Sequence, residues 1–203
     1  MKLLNKLGVL VLVYSFDLGV LAQSRSLSDD LKKVVASSAI EKNLYSNDYV
    51  GFRLTLPDVP CTPTLNPVVD LQRGNAILLR CQHVVQGWQG MYTLTITIDY
   101  RANYASLHGI EHYVRSMRHV GERGADTKTV QTEQPRRMAG KDFVEAILST
   151  NIPSGRSYYQ GLSCTQIAKY LVCFEMEAPS VDEVHKLLSL EGRLEITAEH
   201  ATK

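Results

Sequence analysis

The sequence predicts an α+β fold in which an antiparallel β-sheet is flanked by helices. Three observations carry that prediction. Between Met91 and Tyr100, Tyr92, Leu94, Ile96 and Ile98 alternate with Thr93, Thr95 and Thr97, the period-2 pattern of a strand with one buried face. Val50, Phe52, Leu54 and Leu56 alternate in the same way before Pro57. Leu107, Ile110, Val114 and Met117 recur instead at helical spacing, an apolar stripe suited to lie on a sheet.

Taken in order, residues 1–22 have the three parts of an export signal. Lys2 and Lys6 give a positive start, Leu7 to Phe16 an apolar run, and Val20-Leu21-Ala22 a small-residue cleavage site before Gln23. The run is too short for a comfortable membrane span, and no stable span is expected after cleavage. Residues 23–44 read as a lead-in helix or linker, with Leu27, Leu31, Val34, Val35 and Ile40 near helical spacing and Ser28, Asp29 and Asp30 placed to cap it. One domain is expected over residues 45–197, and residues 198–203 form a tail.

Within that domain, Ser46, Asn47 and Asp48 open the first strand and Pro57 stops it, because proline has no N–H to give the ladder. Pro57, Pro60, Pro63 and Pro67 then impose a non-helical excursion. The turn Arg73-Gly74-Asn75 leads into a strand over Ala76–Cys81, and Gly87-Trp88-Gln89-Gly90 leads into Met91–Tyr100. Three strands in succession imply an antiparallel meander, followed by a helix over Ala105–Arg118. Gly121–Arg137 is polar and charged and is expected as a long exposed loop. A hairpin follows around Gly140-Lys141, and a second pairs Ser157–Cys164 with Tyr170–Glu177. Pro179-Ser180 before Asp182 and Glu183 starts a closing helix through Val184, Leu187 and Leu188. Gly192 ends it, with Arg193–Thr197 a short last strand or tail.

Composition narrows the function classes. A hydrophobic share of 44% and a charged share of 21% are those of an ordinary globular protein. The full chain carries a net charge of +1, and loss of residues 1–22 with Lys2, Lys6 and Asp17 leaves zero. That balance gives no general drive toward nucleic acid or anionic lipid. Cys61, Cys81, Cys164 and Cys173 form an even set in a chain read as exported, which favours two structural disulfides. Their spacing suggests Cys61–Cys81 and Cys164–Cys173. No C-x-x-C, G-x-S-x-G, G-x-G-x-x-G or P-loop sequence occurs, so redox, serine-hydrolase and glycine-loop nucleotide chemistry lack their usual signals.

The polar-aromatic opening Tyr45–Pro57, with its Gly51-Phe52 entry into an alternating strand, resembles the first strand of the PsbP-like family. The Met138-Ala139-Gly140-Lys141 turn, the Tyr158-Tyr159 and Tyr170–Glu175 strands and the final helix follow in a similar order. The family shares an α/β/α sandwich with the Ran-binding Mog proteins. The resemblance implies a non-catalytic extracytoplasmic or lumenal protein that binds a partner; the cysteines and the proline-rich excursion depart from the family pattern.

Two candidate sites follow. The first belongs to a binding or accessory protein of the periplasm or cell envelope, whose partner is an extracytoplasmic protein or envelope component. Its contact surface is Trp88, Arg136 and Arg137 with the Gly121–Arg137 segment, since large rings in turns and polar loops on rigid scaffolds are where binding concentrates. The second is a small zinc-dependent hydrolase. His108-Gly109-Ile110-Glu111-His112 is a formal H-x-x-E-H, which on a helix would aim His108 and His112 at one zinc with Glu111 as general base. Zinc also needs a third ligand, which the sequence does not single out (Glu183 and Glu191 are guesses only), and Gly109 weakens a helix. A solvated polar helix face is the competing account, and no cofactor is expected under the binding reading. A structural envelope component is the remaining alternative.

Overall fold

The computed structural model describes residues 29–58, 62–65, 67–70, 73–84, 91–104, 106–124, 126–152 and 155–197. Cys61, Trp88, residues 198–203 and residues 1–28, which include the segment expected to be an export signal, lie outside the described residues. Within them the fold is α+β, with helices α1 (29–36), α2 (Ile110–Gly121) and α3 (Val181–Leu188). One antiparallel sheet joins β1 (Ser38–Glu41), β2 (Leu44–Asn47), β3 (Phe52–Thr55) and β12 (Leu194–Ile196), in the order β1-β2-β3-β12. The other holds β4 (Pro63–Thr64), β5 (Val68–Asp70), β6 (Asn75–Val84), β7 (Met91–Tyr100), β8 (Thr127–Met138), β9 (Lys141–Asn151), β10 (Ser157–Ile167) and β11 (Tyr170–Ala178). Its order is β4-β6-β7-β11-β10-β9-β8, with β5 also on β6.

The expected first strand is shorter than its alternation and sits in the smaller sheet, so it does not begin a meander with β6 and β7. Asn47 explains the interruption. Its side chain is fully buried, and its Oδ1 accepts from the Val50 N–H at 2.9 Å. That bond builds a turn through Gly51 (φ 86), a left-handed conformation that glycine adopts at little cost. The Asn47 amide also donates to the Val34 carbonyl at 2.7 Å and to Ser38 Oγ at 2.9 Å. One buried side chain thus joins α1, β1 and the β2–β3 turn. The lead-in residues from 29 onward belong to the packed structure, with Leu31 and Val34 fully buried.

Gly121–Arg137 is not the long loop that its polarity suggested. Most of it is β8, which pairs with β9 through two register irregularities. Because β8 is the last strand of the sheet, one side of its ladder faces solvent. Charged residues and proline on such an edge prevent pairing with other chains, and Lys128, Glu133, Pro135, Arg136 and Arg137 supply them. Polar composition here marks an edge strand. The hairpin after it turns one residue earlier than expected, at Ala139 (φ 48) and Gly140 (φ 74), two consecutive positive-φ residues that suit the twist of a tight hairpin.

The larger sheet is covered differently on its two faces. On one, α2 packs over β8, β9 and β10, and Tyr113 and Val114 join Val144, Ala146, Leu171 and the Cys164–Cys173 disulfide in a small core. On the other, α3 and the smaller sheet together bury the main core, where Phe52 meets Phe174 edge-on at 5.9 Å. The outer layer is therefore part helix and part sheet, where the sequence led us to expect helix alone. Ser180 caps α3 by accepting from the Glu183 N–H at 3.3 Å. Gly161 lets α3 approach β10, because a Cβ at that position would collide with Val184 and Leu188.

Candidate functional site

Helix α2 covers only the β8–β10 part of its face, and among the described residues the floor made by β6, β7 and β11 beyond it is left open. Side chains alternate across a strand, so the residues that leave Leu94, Ile96, Phe174 and Met176 in the core aim their neighbours at this open floor. The register aligns them in rows. Arg80, Thr95 and Glu175 stand side by side across β6, β7 and β11, and Gln82, Thr93 and Glu177 form the next row, which Gln160 of β10 extends. Together with Thr97 and Ile77 these residues line a groove of about 400 Å³, within the range of small-ligand sites.

The hydrogen bonding within the groove is uneven. Thr97 donates to Glu175 at 3.0 Å and Thr93 to Glu177 at 3.1 Å. Thr95 lies between them, is only 9% exposed, and its hydroxyl has no partner among the described residues. The oxygen opens into the groove and is not sealed in the interior; the Tyr170 hydroxyl is the one buried side-chain polar atom without a partner among the described residues. A lone hydroxyl on the floor of an open groove is what an occupant would satisfy.

The carboxyl groups are under electrostatic load. Burial raises the pKa of Glu175 above the ordinary glutamate range, and the charges of Asp99 and Glu177 push the same way against the Thr97 bond and Arg80. Burial likewise raises Glu177, opposed by Thr93 and Arg80. At the α2 end, buried Asp99 accepts from Tyr104 at 2.9 Å and from Tyr113. Burial and the Asp99 charge push the Tyr104 phenol up to about 12. The two tyrosines fix α2 and the 3-10 turn Arg101–Tyr104 to the sheet.

A pH dependence follows. A carboxyl whose folded pKa exceeds its unfolded one contributes stability that is fully present below the unfolded pKa and is lost as pH rises through the folded pKa. Glu175→Gln/Glu177→Gln should therefore raise Tm at about pH 7.5, by about 2–4 °C for each kcal/mol relieved, and the gain should vanish by about pH 4. Thermal melts across that range test this; a double variant less stable than wild type at neutral pH would overturn it.

The structure keeps the His108 and His112 rings together, with centroids 5.6 Å apart, but does not carry them on one helix. The zinc geometry required one helix carrying both histidines, but α2 begins only at Ile110, after Gly109 at φ 96. His108 thus precedes the helix, and its backbone N–H donates to His112 Nδ1 at 3.3 Å. Glu111 pairs with Arg115. Glu183 belongs to α3 on the opposite face of the sheet, where it accepts from Tyr92. Among the described residues no group of three or more His, Cys, Asp or Glu side chains is placed to hold a metal.

Arg136 and Arg137 point to different surroundings. Arg136 lies 3.5 Å from Glu145, a buried carboxyl whose pKa is raised by burial despite that guanidinium and Ser163. Arg137 pairs with Asp142 at 3.1 Å in the open, an interaction of little energetic weight. Cys164 and Cys173 are joined, directly opposite each other on β10 and β11. Cys81 is also disulfide-bonded.

The groove residues were in view in the sequence as the polar half of each alternation: Thr93, Thr95 and Thr97, Glu175 and Glu177, Arg80 and Gln82. A polar strand face ordinarily means solvent, and only tertiary placement turns three such faces into one site. The available signal was the repetition of charged and hydroxyl residues at i, i+2 on strands with fully apolar opposite faces.

No protein-family model matches the chain, and no curated protein matches it. Among solved structures, a protein of unknown function from Pseudomonas aeruginosa, PA94, is similar over 66% of this chain and 81% of its own, with TM-score 0.37 and 14% identity. LpqN, involved in cell envelope biogenesis of Mycobacterium tuberculosis, is similar over 72% of this chain and 90% of its own, with TM-score 0.40 and 10% identity.

Proposed function

We propose that the chain is an exported, non-catalytic binding or accessory protein whose ligand is a small polar molecule of the extracytoplasmic space, held in the β6–β7–β11 groove. The observation that carries this reading is the Thr95 hydroxyl on the groove floor, on a residue only 9% exposed, which makes no hydrogen bond to the described residues and opens into the groove between the Thr93–Glu177 and Thr97–Glu175 pairs. Threonine, glutamine, arginine and carboxyl side chains on a rigid sheet make a set of hydrogen-bonding groups held in place before a ligand arrives, which lowers the ordering cost of binding. Export is supported by the sequence of residues 1–22 and by the Cys164–Cys173 disulfide, since such bonds persist in oxidising compartments. The resemblance to PsbP-like proteins points the same way. No helix among the described residues is long and apolar enough to cross a membrane.

The test is an NMR titration of the mature protein with separate pools of amino acids and short peptides, small sugars, and polyamines. At least one pool should shift amides within 93–97 and 175–177, and Thr95→Leu, which fills the floor, should abolish the shifts while the variant remains folded by circular dichroism. Shifts confined to other surfaces, or unchanged in Thr95→Leu, would overturn the groove as the site.

A further inference from the structure

We propose that the groove takes a dipolar ligand of dipeptide size, its ammonium group between Glu175 and Glu177 and its carboxylate toward Arg80, over the Thr95 hydroxyl. This rests on the groove being the ligand site. The two walls carry opposite charge. Glu175 and Glu177 occupy alternate positions of β11, and Arg80 stands two strands away in the same row as Glu175, with Thr95 between them. At about 4.8 Å per strand, the Arg80 and Glu175 backbones are about 10 Å apart. Two extended residues span about 7 Å, so the charged ends of a dipeptide reach both walls once the long side chains lean inward.

Charge and hydrogen bonding favour this class over a neutral polyol. Two carboxyls face one guanidinium here, and Arg80 acts on both carboxyls from across the groove. The threonine hydroxyls at 93 and 97 already donate to the carboxyls, so the acceptor capacity that remains on each suits the several donors of an ammonium group. A simple amine would leave Arg80 unmatched, and a simple acid would face the carboxyl wall.

Isothermal titration at neutral pH with four probes tests the proposal: alanyl-alanine, its N-acetyl derivative, its C-terminal amide, and sucrose. Alanyl-alanine should bind, and each capped derivative should bind at least about tenfold more weakly, the effect of one charge-assisted contact. Glu175→Gln/Glu177→Gln should remove the penalty for acetylation, and Arg80→Met the penalty for amidation, with both variants folded by circular dichroism. Equal affinity for the capped derivatives, or binding of sucrose in preference to alanyl-alanine, would overturn the dipolar ligand while leaving a binding groove. Absence of binding by all four, together with no groove shifts in the NMR pools, would overturn both readings.

Discussion

Arg118→Ala should lower the unfolding free energy by about 3 kcal/mol, the lower end of the range for breaking a buried ion pair. The side chain of Arg118 is 10% exposed, and it donates to Glu133 at 2.6 Å, to Glu122 at 2.8 Å and to Thr129 at 3.1 Å. Glu133, on β8, is itself 7% exposed. Burial opposes the charge on Glu133, but the Arg118 guanidinium outweighs it, helped by a backbone hydrogen bond and Arg115, and holds the carboxyl below its usual pKa. Alanine would leave that carboxylate buried beside only Arg115, at 3.6 Å. The estimate stays at the lower end because β8 is an edge strand and water reaches its far side.

A folded-state pKa that is depressed contributes stability above the unfolded value that is lost as pH falls through the folded one. The difference between wild type and Arg118→Ala in urea melts should therefore shrink as the solution is acidified. Arg118→Met/Glu133→Leu should recover most of the loss at neutral pH, since an apolar pair has no charge to strand. A cost under about 0.5 kcal/mol for Arg118→Ala, the scale of an ordinary surface substitution, would show that the cluster is solvated and does not fasten α2 to β8.

That cluster also shows where reading the sequence stops. The strands β7, β10 and β11, the helix α3 with its Ser180 cap and the Cys164–Cys173 pair all follow from local signals: alternation, turn residues, cap chemistry and cysteine spacing. What was illegible depended on neighbours. Glu133 and Arg118 are fifteen residues apart, and nothing local shows that the polar Thr127–Met138 segment has a strand to pair with. The helical stripe from Leu107 was visible, but Gly109 delays the helix to Ile110, so His108 precedes the helix although its ring stays 5.6 Å from that of His112. The groove was hidden for a related reason. Thr95 would look the same on a fully solvated strand, and its burial is decided by Arg80 of β6 and Glu175 of β11 on either side.

The disulfide links packing to compartment, and its removal is the second large effect. Cys164 and Cys173 are fully buried and face each other across β10 and β11, nine residues apart in sequence. Closing a loop of that length limits the unfolded chain by about 2.5 kcal/mol in the chain-entropy account. Cys164→Ala/Cys173→Ala adds a small void under Tyr113 and Val114 and should cost at least that much. The fold should survive, because β11 pairs with β7 and β10 with β9, so the hairpin is held from both sides without the bond. Cys164→Val/Cys173→Val restores volume and β-propensity and should lose less than the alanine pair, which separates packing from loop closure. Urea melts of the oxidised protein, the same protein with reductant, and both double variants measure each contribution. If reductant lowers the midpoint and both variants are indifferent to it, this bond sets the reductant dependence, and a chain so dependent on it is better suited to an oxidising compartment. An oxidised midpoint no higher than that of the valine pair would remove the bond from the stability argument and weaken its support for export.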